Sequence, residues 1–287
     1  MKILVTGASG NVGECVVKEL LRKNEKVVAA GRNISKLNNI FGEKVDPVAF
    51  DFTDKSTFEN ALKDVDKVFL MRPPYLGNPK DLYPFIDELK KKSIKHISFL
   101  SLMGIEKNPI PPHYKIEKYI ESSGISYAHI RPGFFMQNIS TVHSVEIREM
   151  NKIFVPAGKS KTSFIDVKDI GLAIATILNN SDQYENTTHT ITGPEALSYY
   201  DVAEVLTKVT ERKIIYSNPG IFKYRKHMIK ERGLDKKYVN VTVALYIMTR
   251  MGTAKEVTDD FFKLTNKKAR NFETFIKDNL DVFMPEG

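Results

Sequence analysis

The first thirteen residues, MKILVTGASGNVG, constrain this chain more than any other segment. A β-prone apolar run, Ile3 to Val5, breaks into a turn with glycines at 7, 10 and 13. Val12, Val16, Val17, Leu20 and Leu21 then recur at helical spacing. Strand, glycine turn and helix in that order set a diphosphate against the unpaired N–H groups of a helix N-terminus. Gly7 permits the turn, Gly10 lets backbone approach phosphate, and Gly13 lets the helix sit close on the strand. Nucleotide contacts are therefore expected from Gly7, Ser9, Gly10, Asn11, Val12 and Gly13.

At 287 residues the chain suits one doubly wound domain plus a smaller addition. It begins directly in a strand, with no positive flank, apolar core or cleavage site of a leader, so a cytoplasmic protein is expected. The longest apolar stretch, Leu172 to Leu178, suits a core helix rather than a membrane span. The single cysteine, Cys15, excludes an internal disulfide framework and a multi-cysteine metal site, and reads as a small packing residue. A net charge of +8 raises the question of nucleic acid. The lysines are scattered, as in Lys90–Lys92, Lys236–Lys237 and Lys267–Lys268, and are not interleaved with aromatics. Solvated helix faces account for them, and neither a nucleic-acid nor a membrane partner is expected.

Strand candidates Ile3–Thr6, Lys26–Ala30, Val45–Phe50, Lys67–Met71, Lys95–Ser101 and Ser126–Arg131 alternate with helix candidates Val12–Arg22, Ser56–Leu62, Leu82–Lys92 and Tyr114–Ser122. This alternation predicts an α/β fold, a Rossmann-type doubly wound parallel sheet. Pro47 makes the third strand the weakest of the set. After Pro132 the periodicity changes. A helix is expected at Val167–Leu178, a strand at His189–Thr192, and a helix from Ser198 to Val209 opened by an acidic capping box. Helix pieces follow at Ile221–Lys230, Val241–Met251 and Phe272–Leu280. The expected division is a dinucleotide-binding domain over 1–135, to which 164–192 returns. A smaller, mainly helical C-terminal substrate-binding region takes 136–163 and 193–287. Ligands of such sheets bind beyond the carboxyl ends of the strands.

The opening Thr6-Gly7-x-x-Gly10-x-x-Gly13 resembles the short-chain dehydrogenase/reductase superfamily. The segment from His129 to Asn138, HIRPGFFMQN, resembles the atypical NmrA-like branch of that superfamily, which includes NAD(P)H:quinone oxidoreductase-like proteins. The segments Ile153–Gly158, Ser163–Ile170, Thr190–Ala196 and Asp260–Asn279 are similar to that branch too, so the resemblance spans essentially the whole chain. It implies NAD(P)H binding. Some members reduce quinones, azo dyes or other conjugated acceptors; others are redox-sensing regulators without turnover.

In a dinucleotide fold an acid at the end of the second strand favours NAD, and a cation favours NADP. Here that strand ends in Gly31-Arg32 with no acid. Arg32 can grip a phosphate bidentately and Lys36 can add a charge, so NADP(H) is expected over NAD(H). By resemblance Asp51 and Phe52 lie beside the adenine, although Asp51 also suits an Asx turn. Met71, Arg72 and Pro73, after the fourth strand, are expected near the nicotinamide ribose.

Most short-chain reductases use Tyr-x-x-x-Lys, the tyrosine protonating a developing alkoxide. Tyr114 and Lys118 have that spacing. The family register instead puts the tyrosine position at Pro109 and the lysine position at His113. At about 100° per residue, Ile116, Tyr119, Ile120 and Ser123 form the inward stripe, and Tyr114 and Lys118 face away from it. His113 remains as a candidate acid or orienting group because an imidazole titrates near neutrality. Phe134, Phe135, Met136 and Asn138 suit a flat aromatic substrate, or else a core. His143 and His227 show no metal-ligand spacing, so no metal is assigned. Without the tyrosine, hydride transfer to a conjugated acceptor, quinone-like first and azo or iminium after it, is favoured over ketone reduction. A non-catalytic NAD(P) redox sensor with a protein partner is the rival reading, and a sugar-nucleotide epimerase is disfavoured because it needs the pair in register. Either a monomer or a homodimer is compatible with these features.

Overall fold

The structure is a computed structural model and describes residues 1–285. Strands and helices alternate as β1 (Lys2–Thr6), α1 (Asn11–Arg22), β2 (Lys26–Gly31), α2 (Ile34–Phe41), β3 (Asp46–Ala49) and α3 (Phe58–Ala61). They continue as β4 (Lys67–Met71), α4 (Tyr83–Lys91), β5 (His96–Leu100), α5 (Pro112–Ser123) and β6 (Ser126–Pro132). A second segment holds β7 (Phe134–Phe135), α6 (Gln137–Ser140), α7 (Ser144–Met150), β8 (Lys152–Ile153) and β9 (Thr162–Ile165). Next come α8 (Val167–Asn179) and β10 (Thr187–Ile191), then β11 (Ala196–Leu197), α9 (Tyr199–Thr210), β12 (Ile215–Tyr216), α10 (Ile221–Lys226) and α11 (Lys236–Arg250). The last elements are α12 (Asp260–Thr265), α13 (Phe272–Asp278) and α14 (Leu280–Phe283).

These elements form two compact units. The first comprises Met1–Pro132, Val167–Ile191 and Asp259–Lys267. Its sheet has seven strands in the order β10-β6-β5-β4-β1-β2-β3, every pair parallel. The order reverses at β1, which pairs with β2 on one side and β4 on the other. That switch point, beyond the strands' carboxyl ends, is where doubly wound folds take their ligand. Burial on both faces explains why β1 and β5 are almost fully inaccessible rather than alternating. The third strand exists despite Pro47 because it lies at the sheet edge, bonded only to β2.

Three departures from the sequence-based expectation have identifiable causes. Helix α2 was not anticipated, although Ile34, Leu37, Ile40 and Phe41 recur at helical spacing; it is only eight residues long, and an Asn33 cap to Lys36 N (2.9 Å) starts it. The expected Ser56–Leu62 helix begins as a 3₁₀ turn before α3. The short helix α12 packs with the first unit, whereas the expected division left all of 193–287 outside it. There Asp260 accepts a hydrogen bond from the β10 residue Thr190 (N···Oδ2 2.9 Å). Elsewhere in this unit α1 lies close on α8, because a Cβ at Gly171 would meet the Cys15 Cβ at 2.6 Å. Cys15 is thus a small residue at a helix crossing. Phe50, Phe52, Phe58 and Phe85 pack with ring centroids 4.8 to 5.8 Å apart at the centre of the core on one face of the sheet.

The second unit is Gly133–Asp166, Thr192–Thr258 and Lys268–Gly287, of which the structure describes the residues to 285. It contains a three-stranded sheet, β11-β9-β7, a two-stranded one, β12-β8, and a predominance of helices. The capping box at Ser198 forms as expected: the Ser198 hydroxyl accepts from Asp201 N, and the Asp201 carboxylate accepts from Ser198 N. The expected helix through Lys230 is regular only to Lys226 and continues as a π-helical turn, His227–Glu231. Buried tyrosines 199, 216, 224 and 246 fill its core with Phe164 and Phe272.

Candidate nucleotide-binding site

The turn after β1 has the geometry its glycines require. Gly7 has a φ of +64°, a left-handed conformation costly for other residues. Its carbonyl accepts from Gly10 N at 2.9 Å, closing the loop. A Cβ on Gly13 would lie 2.2 Å from that same carbonyl oxygen, so only glycine lets α1 start this near the strand. Thr6 ties the two strands at the switch point: its hydroxyl donates to Phe69 O (3.0 Å) and accepts from Met71 N (3.0 Å). Gly10 precedes α1 with no side-chain cap, so the helix's first N–H groups point into the loop without a side-chain acceptor. That supplies donors and a positive dipole end for a phosphate. Ser9, Asn11 and Val12 sit in this same loop and helix start.

The residues expected at the adenosine end diverge. Arg32 follows β2, is exposed, and stacks its guanidinium over the Tyr75 ring, 4.7 Å from the centroid. Lys36 is exposed on the first turn of α2. Asp51 closes an Asx turn: Thr53 N and its hydroxyl both donate to Oδ1, at 2.8 and 2.7 Å. Those bonds, with the nearby Arg32 charge, outweigh burial and hold the Asp51 carboxyl below its usual range. The Phe52 ring turns into the core, edge-to-face with Phe50 and Phe85, which leaves its main chain to meet an adenine.

At the other end Met71 lies against the loop, its Cε 2.4 Å from where a Cβ of Gly7 would be. Pro73 follows in a turn. Arg72 is not a plain surface charge: Nη1 donates to Pro73 O (3.0 Å) and Leu76 O, and Nε donates to His113 Nε2 (3.4 Å). That bond has consequences for His113. An imidazole nitrogen accepting from a guanidinium carries no proton, so the neutral ring holds its proton on Nδ1, which is buried without a hydrogen-bond partner. Burial first, and the Arg72 charge second, lower the His113 pKa to about 3 against the opposing pull of Glu117. An imidazolium is therefore absent at neutral pH, which corrects the expectation of His113 as an acid. A neutral N–H donor at the helix start remains.

The Tyr114–Lys118 pair does not assemble. Lys118 Nζ donates to Glu121 (2.7 Å), and it lies over the face of the Tyr114 ring rather than at the hydroxyl. Ile116 and Ile120 are buried as the helical phase required. Sequence reasoning missed Glu117, which is 1% exposed and accepts twice from Arg131 (3.0 and 2.7 Å). It also missed Ser101, buried at the end of β5. Only an acid at an inward helix position signalled the former.

In the second unit Phe134 and Phe135 are half-buried in β7, and Asn138 is exposed. Met136 is 1% exposed in the unit's core, a correction of its expected role in holding substrate. His227 does meet carboxylates, contrary to the expectation from spacing: Nδ1 lies 2.6 Å from Glu231 and Nε2 2.8 Å from Glu146, which Arg232 also binds. Both ring nitrogens are consumed there. His143 is bonded to the Tyr246 hydroxyl (2.6 Å). In the first unit Glu117, Glu121 and His129 converge within 4.8 Å, but Arg131 occupies both Glu117 oxygens.

The NmrA-like family matches residues 1–276. The chain belongs to that family. Among curated relatives, prestalk A differentiation protein A of Dictyostelium discoideum is 32% identical over 282 residues, 97% of this chain and 92% of the relative. The NAD(P)H azoreductase of Xenophilus azovorans is 29% identical over 98% of this chain and 99% of its own. Among solved structures, the NADPH-dependent quinone oxidoreductase of Escherichia coli complexed with NADPH superposes with a TM-score of 0.88 at 20% identity, over 98% of this chain and 100% of the other. The fold is thus the Rossmann-like fold shared by proteins of this family. Among the described residues no helix is long and apolar enough to cross a membrane.

Proposed function

We propose that this protein is an NADPH-dependent reductase of a small conjugated acceptor, quinone-like first. The observation that carries the reading is the uncapped start of α1, packed against the Gly7 carbonyl through Gly13, beside a β2 end that presents a cation and no acid. The diphosphate would rest on the N–H groups that open α1, and Arg32 would take the 2′-phosphate with Lys36 near it. Asp51 would face the adenine amino group through Oδ2, since its other oxygen is occupied. The bound nucleotide supplies a hydride. No tyrosine–lysine acid is assembled on α5, and His113 stays neutral. Water must therefore deliver the proton, which suits an acceptor that delocalises charge and penalises a simple ketone. Phe134, Phe135 and Asn138 are proposed for the acceptor, the aromatic rings for its flat face.

The test is anaerobic NADPH consumption with a soluble quinone against a protein-free blank. Saturable turnover that collapses in a folded Gly10→Asp variant is expected, since the new carboxylate would repel the diphosphate. Tight NADPH binding without turnover on quinone or azo acceptors would turn the reading to the non-catalytic sensor, for which a protein partner should then be sought.

Two further outcomes are expected. Arg32→Ala should weaken NADPH about tenfold and spare NADH, as loss of a charge-assisted hydrogen-bonding pair does; equal titration curves for variant and parent would refute the assignment. Tyr114→Phe with Lys118→Ala should leave turnover within about twofold, because both are surface changes. A drop of several orders of magnitude would restore the pair to the mechanism.

A further inference from the structure

Arg32 rests on a residue, Tyr75, that the nucleotide-binding reading does not use. Residues Pro73-Pro74-Tyr75-Leu76 form a β-turn closed by Leu76 N to Pro73 O (3.1 Å). Pro74 fixes φ at the first corner, which leaves Tyr75 at the second. The turn is held at both ends: Arg72 Nη1 donates to the carbonyls of Pro73 and Leu76, and the Leu76 side chain is 7% exposed in the core. Tyr75 therefore projects from a braced turn, 52% exposed, and carries the Arg32 guanidinium 4.7 Å above its ring centroid. An exposed arginine normally samples many rotamers, and ordering it on a ligand costs entropy. A cation–π platform removes part of that cost beforehand.

We propose that Tyr75 is a positioning residue for cofactor selection, holding the Arg32 guanidinium on its ring so that the 2′-phosphate of NADP(H) meets a preordered cation. This rests on the reading of Arg32 as the 2′-phosphate partner. Tyr75 gives the phosphate no bond of its own; it acts only through Arg32, so NADH gains nothing from it.

Titration of the full chain with NADPH and NADH, and with the fragments 2′,5′-ADP and 5′-AMP, tests this in the parent, Tyr75→Ala, Tyr75→Phe, Arg32→Ala and the Arg32→Ala/Tyr75→Ala double variant. Tyr75→Ala is expected to weaken NADPH and 2′,5′-ADP about two- to fivefold while NADH and 5′-AMP are unchanged. Tyr75→Phe should bind as the parent does, since it keeps the ring. In the Arg32→Ala background, Tyr75→Ala should have no further effect. Equal loss for both nucleotides would overturn the proposal, because Tyr75 would then be stacking on adenine or supporting the turn. So would no loss, or a full effect in the double variant. If Arg32→Ala lowers the NADPH:NADH preference and Tyr75→Ala does not, only the positioning role fails. If Arg32→Ala leaves the preference intact, the phosphate assignment fails with it.

Discussion

Gly13→Ala should lose stability and nucleotide together. Alanine is the better helix former by about 1 kcal/mol, which alone would stabilise α1. Against this, the new Cβ would lie 2.2 Å from Gly7 O, 2.7 Å from Gly7 C and 2.9 Å from Ala8 Cα. All three are backbone atoms, so no side chain can rotate away, and the helix start or the turn must move. Overpacking of this kind costs about 1–3 kcal/mol, and strain against main chain belongs at the upper end. Overlap outweighs propensity. Urea unfolding should show the loss, and NADPH affinity should fall about tenfold or more, since the displaced atoms are the cradle itself. An unchanged midpoint with unchanged affinity would mean that α1 does not start this close to the strand in solution.

Glu117→Ala should be the most destabilising single change on α5. The carboxylate is buried and takes two bonds from Arg131, whose Nη1 also reaches Glu106 (3.0 Å). Removing one partner of a buried pair costs about 3–5 kcal/mol. The Glu106 contact keeps Arg131 partly compensated, which argues for the lower end. Burial alone would raise the Glu117 pKa, but the hydrogen bonds from Arg131, the neighbouring Ser101 hydroxyl and the charges of His129 and Arg131 hold it below its usual 4.5. A carboxyl whose folded pKa is depressed contributes stability that is complete above the unfolded value. That contribution is lost as pH falls through the folded pKa. The stability gap between parent and variant should therefore be full at neutral pH and narrow only as pH drops below about 4.5. Unfolding free energies at pH 7 and pH 3.5 check both points. A gap that widens on acidification would refute the ionised pair. Replacing both partners by leucine should recover much of the loss, because apolar substitution of a buried pair is often neutral.

The legible parts of this protein were those carried by local chemistry. The β1 turn follows from three glycines between an apolar strand and an amphipathic helix, and each glycine answers a constraint within a few residues of itself. The Ser198–Asp201 capping box, likewise, is complete within four residues of chain. Helical phase alone placed Tyr114 and Lys118 off the core stripe of α5. Helix α2 was equally local, with Ile34, Leu37 and Phe41 at helical spacing behind the Asn33 cap, but over only eight residues.

What only the tertiary structure decided depends on partners distant in sequence. The pKa of His113 turns on Arg72, 41 residues away, and on burial, neither of which is encoded near the histidine. The Arg32–Tyr75 stack joins two loops at the carboxyl ends of β2 and β4, which the strand order separates by β1 alone. Glu117 and Arg131 pair because α5 packs against β6, and His227 reaches Glu146 across 81 residues. Asp260 returns α12 to β10 in the same way. Spacing along the chain determined which residues could form a nucleotide loop. Charge state, tautomer and side-chain aim came from packing, because desolvation and hydrogen bonding act through neighbours that only the assembled sheet brings together.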